Sequence, residues 1–127
     1  MSDKSVILLI DDDETVVATL KLVLRKHYRV EVCTDPAAAV QRAKELSPDV
    51  VISDVKMPHF DGFWVLRELR QACPELPVIL NSAYQSETAM GDVEDIYRPF
   101  AYLDKNVPLK EFLQVIDQAV AQGRARR

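Results

Sequence analysis

Two hydrophobic rhythms alternate along the chain. Short, β-rich apolar runs occur at Val6–Ile10, Arg29–Cys33, Val50–Ser53, Val78–Asn81 and Ala101–Leu103. Between them, apolar residues recur at helical spacing. A first helix is expected from about Glu14 to His27, with Val16, Val17, Leu20, Val23 and Leu24 on one stripe. Glu14 in its first turn and Arg25, Lys26 and His27 in its last complement the helix dipole. A second helix starts at Asp35-Pro36, a capping acid followed by proline at the first helical position, and stops before Ser47-Pro48. A third runs from near Gly62 to Pro74. A last helix begins at Pro108 and carries Leu109, Phe112, Leu113, Ile116 and Val120 on one face. The segment before the fifth strand is weaker. Only about Ser86–Met90 reads as helix there, and Gly91, Asp92, Glu94, Asp95 and Pro99 oppose a long regular one.

Alternating strands and helices imply parallel strands joined by right-handed crossovers. The runs ILLI, VVIS and VILN are almost wholly apolar, as strands are when both faces are covered. The fold class is therefore α/β, a three-layer α/β/α sandwich. A length of 127 residues suits one domain with one core, expected over about 5–121, with 122–127 as a tail or the beginning of a linker. The net charge of -4 directs attention away from nucleic acid and anionic membranes, and no apolar run approaches the ~20 residues that span a bilayer. The N-terminus lacks a signal-peptide pattern, so a cytoplasmic location is expected. Cys33 and Cys73 fit no metal-ligand spacing and are expected as small core or half-buried side chains.

Open parallel sheets bind ligands beyond the carboxyl ends of their strands. The first strand is followed by Asp11, Asp12 and Asp13, the third by Asp54, the fourth by Ser82 and the fifth by Lys105. Acids, a hydroxyl and an ammonium would thus share one rim. Two like charges 4 Å apart repel by roughly 4 kcal/mol at an effective dielectric of 20. A hard divalent cation with oxygen ligands relieves that repulsion, and magnesium is the natural choice. Asp11, Asp12 and Asp54 would balance Mg2+ together with Lys105, leaving a neutral site that presents a cation and donors to an arriving phosphoryl group.

The blocks ILLIDDDE, DVVISDVKMPHFDG, VILNSAY and AYLDK, in this order and spacing, resemble the signature blocks of bacterial two-component response-regulator receiver domains, chemotaxis regulators among them. The likeness covers residues 5 to about 121. It implies a flavodoxin-like fold with a five-stranded parallel sheet of order 2-1-3-4-5. It also implies a phosphoacceptor signalling domain. Asp54 would take a phosphoryl group from a phosphohistidine of a sensor histidine kinase or phosphotransfer protein. Asp11, Asp12, Asp54 and the Lys56 carbonyl would hold Mg2+, and Lys105 would pair with a phosphoryl oxygen. Ser82 and Tyr102 would act as switch residues, with the small Ala83 leaving Asp54 accessible. Such a domain is a regulator that catalyses its own aspartyl phosphorylation and dephosphorylation and signals to a downstream effector protein or domain.

Two departures stand out. The family's proline after the conserved lysine is here Asn106, and a cis bond before a non-proline residue costs ~2.5–4 kcal/mol. Serine stands at 82, where threonine is common in the family. Two other functions compete. Asp11-x-Asp13-x-Thr15 resembles the first motif of haloacid-dehalogenase-type phosphatases, with Asp11 as nucleophile and Asp13 as general acid. That reading leaves the block around Asp54 unexplained and finds no late acidic pair. A degenerate receiver that binds partners without phosphorylation is the other. Outside the site, Trp64 falls on the helical face of Glu68 and Gln71, away from Leu66 and Leu69, and is expected to point outward. His27 reads as a dipole partner, His59 as a loop residue, and Arg124, Arg126 and Arg127 as a solvated tail.

The glycine, proline and acids of residues 86–99 make a direct expectation. Amide hydrogens there should exchange faster than those of the four strong helices. Slower exchange would contradict this reading.

Overall fold

A computed structural model describes residues 4–54, 62–82, 99–104 and 106–125, without the side chains of Gly62, Phe63, Ser82 and Asp104. The elements in chain order are β1 (Val6–Ile10), α1 (Glu14–Leu24), β2 (Arg29–Cys33), a 3-10 turn (Pro36–Ala38), α2 (Ala39–Leu46), β3 (Val50–Asp54), α3 (Gly62–Ala72), β4 (Val78–Ser82), β5 (Ala101–Asp104) and a C-terminal helix, α4 (Leu109–Ala125). The expected short helix at 86–90 lies outside the described residues, as does the Lys105–Asn106 link.

Local chemistry explains the boundaries. The Asp13 carboxylate accepts the Thr15 and Val16 amides at 2.9 and 3.2 Å and so caps α1. Asp35 accepts from Ala37 N at 3.0 Å, and Pro36 follows as the first helical residue. The first turn there is 3-10, and the α-helix proper begins at Ala39. Ser47 ends α2 in the left-handed region (φ 47°, ψ 57°), and Pro48 cannot continue the helix. Helix α1 stops at Leu24, three residues earlier than the charge pattern suggested. Both His27 N and Tyr28 N donate to Leu24 O at 3.0 Å. This tight turn carries Tyr28 into the core, at 8% exposure, and leads into β2. Arg70 closes the other end of α3, its guanidinium donating to Leu76 O at 2.7 Å and Pro74 O at 3.0 Å.

All strand pairs are parallel, in the order β2-β1-β3-β4-β5. Alternation along each strand divides the core into two layers. Leu8, Ile10, Val51, Val78 and Leu80 face α2 and α3, where Ala43, Leu66 and Leu69 meet them. Ile7, Leu9, Val50, Ile52 and Ile79 face α1 and α4, against Val17, Leu24, Phe112 and Ile116. Cys33 is buried and Cys73 half-buried. Burial pushes the Cys33 thiol pKa up, only partly offset by its contact with the Asp35 backbone, which suits an inert core residue. Among the described residues, no helix is long and apolar enough to cross a membrane.

Trp64 corrects one expectation. It does share a face with Glu68 and Gln71, but α2 lies over that face. The indole is half-buried against the core and lines a shallow depression of about 400 Å3 with Ala37 and Val40.

The amino-terminal rim of the sheet is clamped. Asp49, 2% exposed, exchanges backbone and side-chain hydrogen bonds with Val6, both at 2.8 Å. Arg124 reaches back to Ser5 Oγ at 2.8 Å. Between them, Gly123 of α4 packs so closely that a methyl group on it would collide with the Asp49 carbonyl oxygen. Alanine in place of glycine at an exposed helical site gains ~1 kcal/mol. Here overpacking reverses the sign, because the obstacle is backbone. Gly123→Ala should lose about 1–3 kcal/mol of stability, measured by urea denaturation. A variant as stable as the wild type would contradict this packing.

Candidate functional site

Parallel strands deliver all their carboxyl ends to one rim, opposite the clamped one. Ile10 pairs with Ser53, so Asp11 and Asp54 are the next residues on two adjacent strands and stand level. Asp11 continues the face of Leu9, and Asp54 that of Ile52. Both carboxylates therefore lie on the α1 and α4 side of the sheet.

They do not lie alone. Ligand oxygens of Asp11, Asp12 and Asp54 are all within 4.8 Å of one another. Asp11 is 2% exposed and Asp54 7%, whereas Asp12 is open to solvent. The first acid is held in place by its neighbour, since Asp13 N donates to Asp11 Oδ1 at 2.9 Å. Asp13 itself is engaged as the α1 cap, which puts the partial positive charge of a helix start beside the acids. A helix start contributes only about half a charge, too little to balance three carboxylates. The donor set is all oxygen, with two buried members and one solvent-exposed, as a hard divalent cation that keeps some of its water prefers. The residues present thus fit magnesium.

The other expected members are less visible. Ser82 ends β4 in register with Asp104 of β5, so the fourth and fifth strands finish at the same rim. The Ser82 side chain, and Lys56, Ala83, His59 and Lys105 entirely, lie outside the described residues. Tyr102 is buried at 9% exposure in the layer under α2 and α3, on the face of the sheet away from Asp54. His27 is exposed and set edge-on to Tyr28, away from the acids.

Sequence reasoning passed over Asn81. It pairs in register with Asp54, is 8% exposed, and its Oδ1 has no hydrogen-bond partner among the described residues. A polar amide interrupting the apolar run Val78-Ile79-Leu80 was the available signal. Asp49 was passed over as well, hidden in the helix-to-strand connection.

Comparison with known proteins agrees with this geometry. The model of the response regulator receiver domain matches residues 7–117. The alkaline phosphatase synthesis transcriptional regulatory protein PhoP of Bacillus subtilis (strain 168) is 30% identical over an alignment of 115 residues that covers 85% of this chain and 48% of that protein. The chain spans about half or less of the length of the curated relatives it matches. A solved response regulator receiver domain protein from Clostridium thermocellum is 26% identical with a TM-score of 0.85, over 97% of this chain and 99% of that one. The signal receiver domain of an HD domain-containing protein from Pseudomonas fluorescens Pf-5, 24% identical, shares the fold with a TM-score of 0.89, over 100% of this chain and 94% of that one. With the sheet order, the acid cluster and the family match in agreement, the chain belongs to the response regulator receiver domains of two-component systems.

Proposed function

We propose that this domain is a magnesium-dependent phosphoacceptor whose nucleophile is Asp54. The observation that carries the reading is the gathering of the Asp11, Asp12 and Asp54 oxygens within 4.8 Å at the carboxyl rim. One carboxylate oxygen of Asp54 attacks the phosphorus of a phosphohistidine. The P–N bond breaks, the imidazole leaves, and an acyl phosphate remains on Asp54. Asp11, Asp12, Asp54 and the Lys56 carbonyl would hold Mg2+, which supplies positive charge for the phosphoryl oxygens. Lys105, the residue after β5, pairs with a phosphoryl oxygen and completes the charge balance.

In this reading Ser82 and Tyr102 form the switch. The Ser82 hydroxyl moves toward the new phosphoryl group, Tyr102 follows, and a pre-existing conformational equilibrium shifts. Ala83 leaves the approach to Asp54 open. The partners are a sensor histidine kinase or a phosphotransfer protein on the donor side, and an effector protein or domain on the output side. The location is cytoplasmic, the 127 residues act as one receiver domain, and its chemistry serves regulation rather than metabolism. The burial of Asp54 beside Asp11 supports an acceptor over a loop acid, and the use of Asp13 as a helix cap disfavours the phosphatase reading.

Incubation with Mg2+ and acetyl phosphate tests this. Intact mass should show one added phosphoryl group on the wild type. Asp54→Asn should lose the label, and chelation of Mg2+ should slow labelling about a hundredfold or more. Labelling that survives Asp54→Asn would move the nucleophile elsewhere.

A further inference from the structure

Strand β3 carries a buried hydroxyl that the acceptor chemistry above leaves unused. Ser53 directly precedes Asp54 and is 0% exposed. Side chains alternate along a strand, and Val51 lies in the layer under α2 and α3. Ser53 therefore points into that layer too, on the face opposite the Asp54 carboxylate. Ile10 and Leu80 flank it in register. A hydroxyl among such neighbours costs free energy unless it is hydrogen-bonded, whereas alanine would sit there without that cost. The Ser53 Oγ donates to the Asp54 carbonyl oxygen at 3.0 Å.

The place of this bond gives it a purpose. Val51 N donates to Pro77 O, on the β4 side. Successive residues of a strand turn their backbone groups to opposite sides, so the Asp54 carbonyl turns toward β1. The β1–β3 register ends at Ile10 and Ser53, one residue short of it. The Ser53 hydroxyl thus takes hold of β3 where its register with β1 has ended. The peptide it holds starts at the α-carbon that carries the Asp54 carboxylate, and it leads on to Lys56 two residues later. We propose that Ser53 is a positioning residue of the acceptor site: from the opposite face of the sheet, its hydroxyl fixes the last peptide of β3 and so the aim of the Asp54 carboxylate toward Asp11 and Asp12.

The consequence rests on the phosphoacceptor reading and concerns the cation site. Mg2+ tolerates little departure from its preferred ligand geometry. Without the Ser53 bond the Asp54 peptide samples other orientations, and the carboxylate is correctly aimed in only part of the population. Apparent affinity falls by that fraction. One ordinary hydrogen bond is worth a factor of about three to ten. A loss of packing alone has a different signature. Val51, two residues earlier on the same face, is also 0% exposed. Truncating it removes packing from the same layer and leaves the Ser53 hydroxyl in place.

Two measurements test this on the full chain. In the first, Mg2+ is titrated by calorimetry into wild type, Ser53→Ala and Val51→Ala. The Kd for Mg2+ should rise about three- to tenfold in Ser53→Ala, while Val51→Ala melts lower than wild type yet keeps its Kd. An unchanged Kd in Ser53→Ala, or equal weakening in both variants, overturns the proposal. In the second, the carbonyl 13C resonance of Asp54 is compared in metal-free wild type and Ser53→Ala. It should move upfield as the hydrogen bond is lost, and a resonance that stays in place overturns the proposal. If Ser53→Ala fails to fold, wild type decides: the Ser53 hydroxyl proton must exchange slowly with water, and free exchange overturns the proposal. A wild type that binds no Mg2+ and takes no label from acetyl phosphate fails the phosphoacceptor reading and this proposal with it. A wild type that does both, beside a Ser53→Ala that matches it, fails this proposal alone.

Discussion

Mutual repulsion among Asp11, Asp12 and Asp54 is the constraint around which the rest of the structure makes sense. Three carboxylates with oxygens inside 4.8 Å, two of them buried, oppose folding unless positive charge compensates them. Coulomb energies of several kcal/mol are large beside a total stability of about 5–15 kcal/mol for a domain of this kind. The fold accepts the burden at one rim of the sheet. Part of the relief is internal, from the start of α1 and from the Asp13 amide that binds Asp11. In the proposed reading a cation would add to that relief and would make the rim receptive to phosphate.

The opposite rim shows how the burden is carried. There the contacts are tight: Asp49 clasps the start of β1, Gly123 lets α4 press onto the sheet, and Arg124 reaches Ser5. Two apolar layers, one under each pair of helices, join the ends. Close packing is thus concentrated at the amino rim and in the core, and the cluster of carboxylates at the carboxyl rim. A parallel sheet permits this division, because every strand starts at one edge and finishes at the other.

Much of this was legible in the chain itself. All five strands fall where the apolar runs predict them, because strands buried on both faces have little freedom in composition. The cap at Asp35 and the stop at Ser47-Pro48 are local chemistry, and local chemistry is written in adjacent residues. What failed was what depends on distant neighbours. The basic end of α1 looked helical until Tyr28 had to enter the core. Trp64 looked outward-facing because helical periodicity cannot reveal that α2 covers that face. For the site, the acids were readable from their positions after β1 and β3. Asn81 was not, since only the register against Asp54 gives its polarity a meaning.

Thermal unfolding with and without magnesium tests the central electrostatic claim most directly, on wild type and Asp11→Asn. The account expects Mg2+ to raise the wild-type melting temperature by mass action. It also expects Asp11→Asn to melt higher than wild type in metal-free buffer, where one repelling charge is gone, and to gain little from Mg2+. A wild type indifferent to Mg2+, with Asp11→Asn less stable than it in metal-free buffer, would mean that the three acids are not a strained cation site.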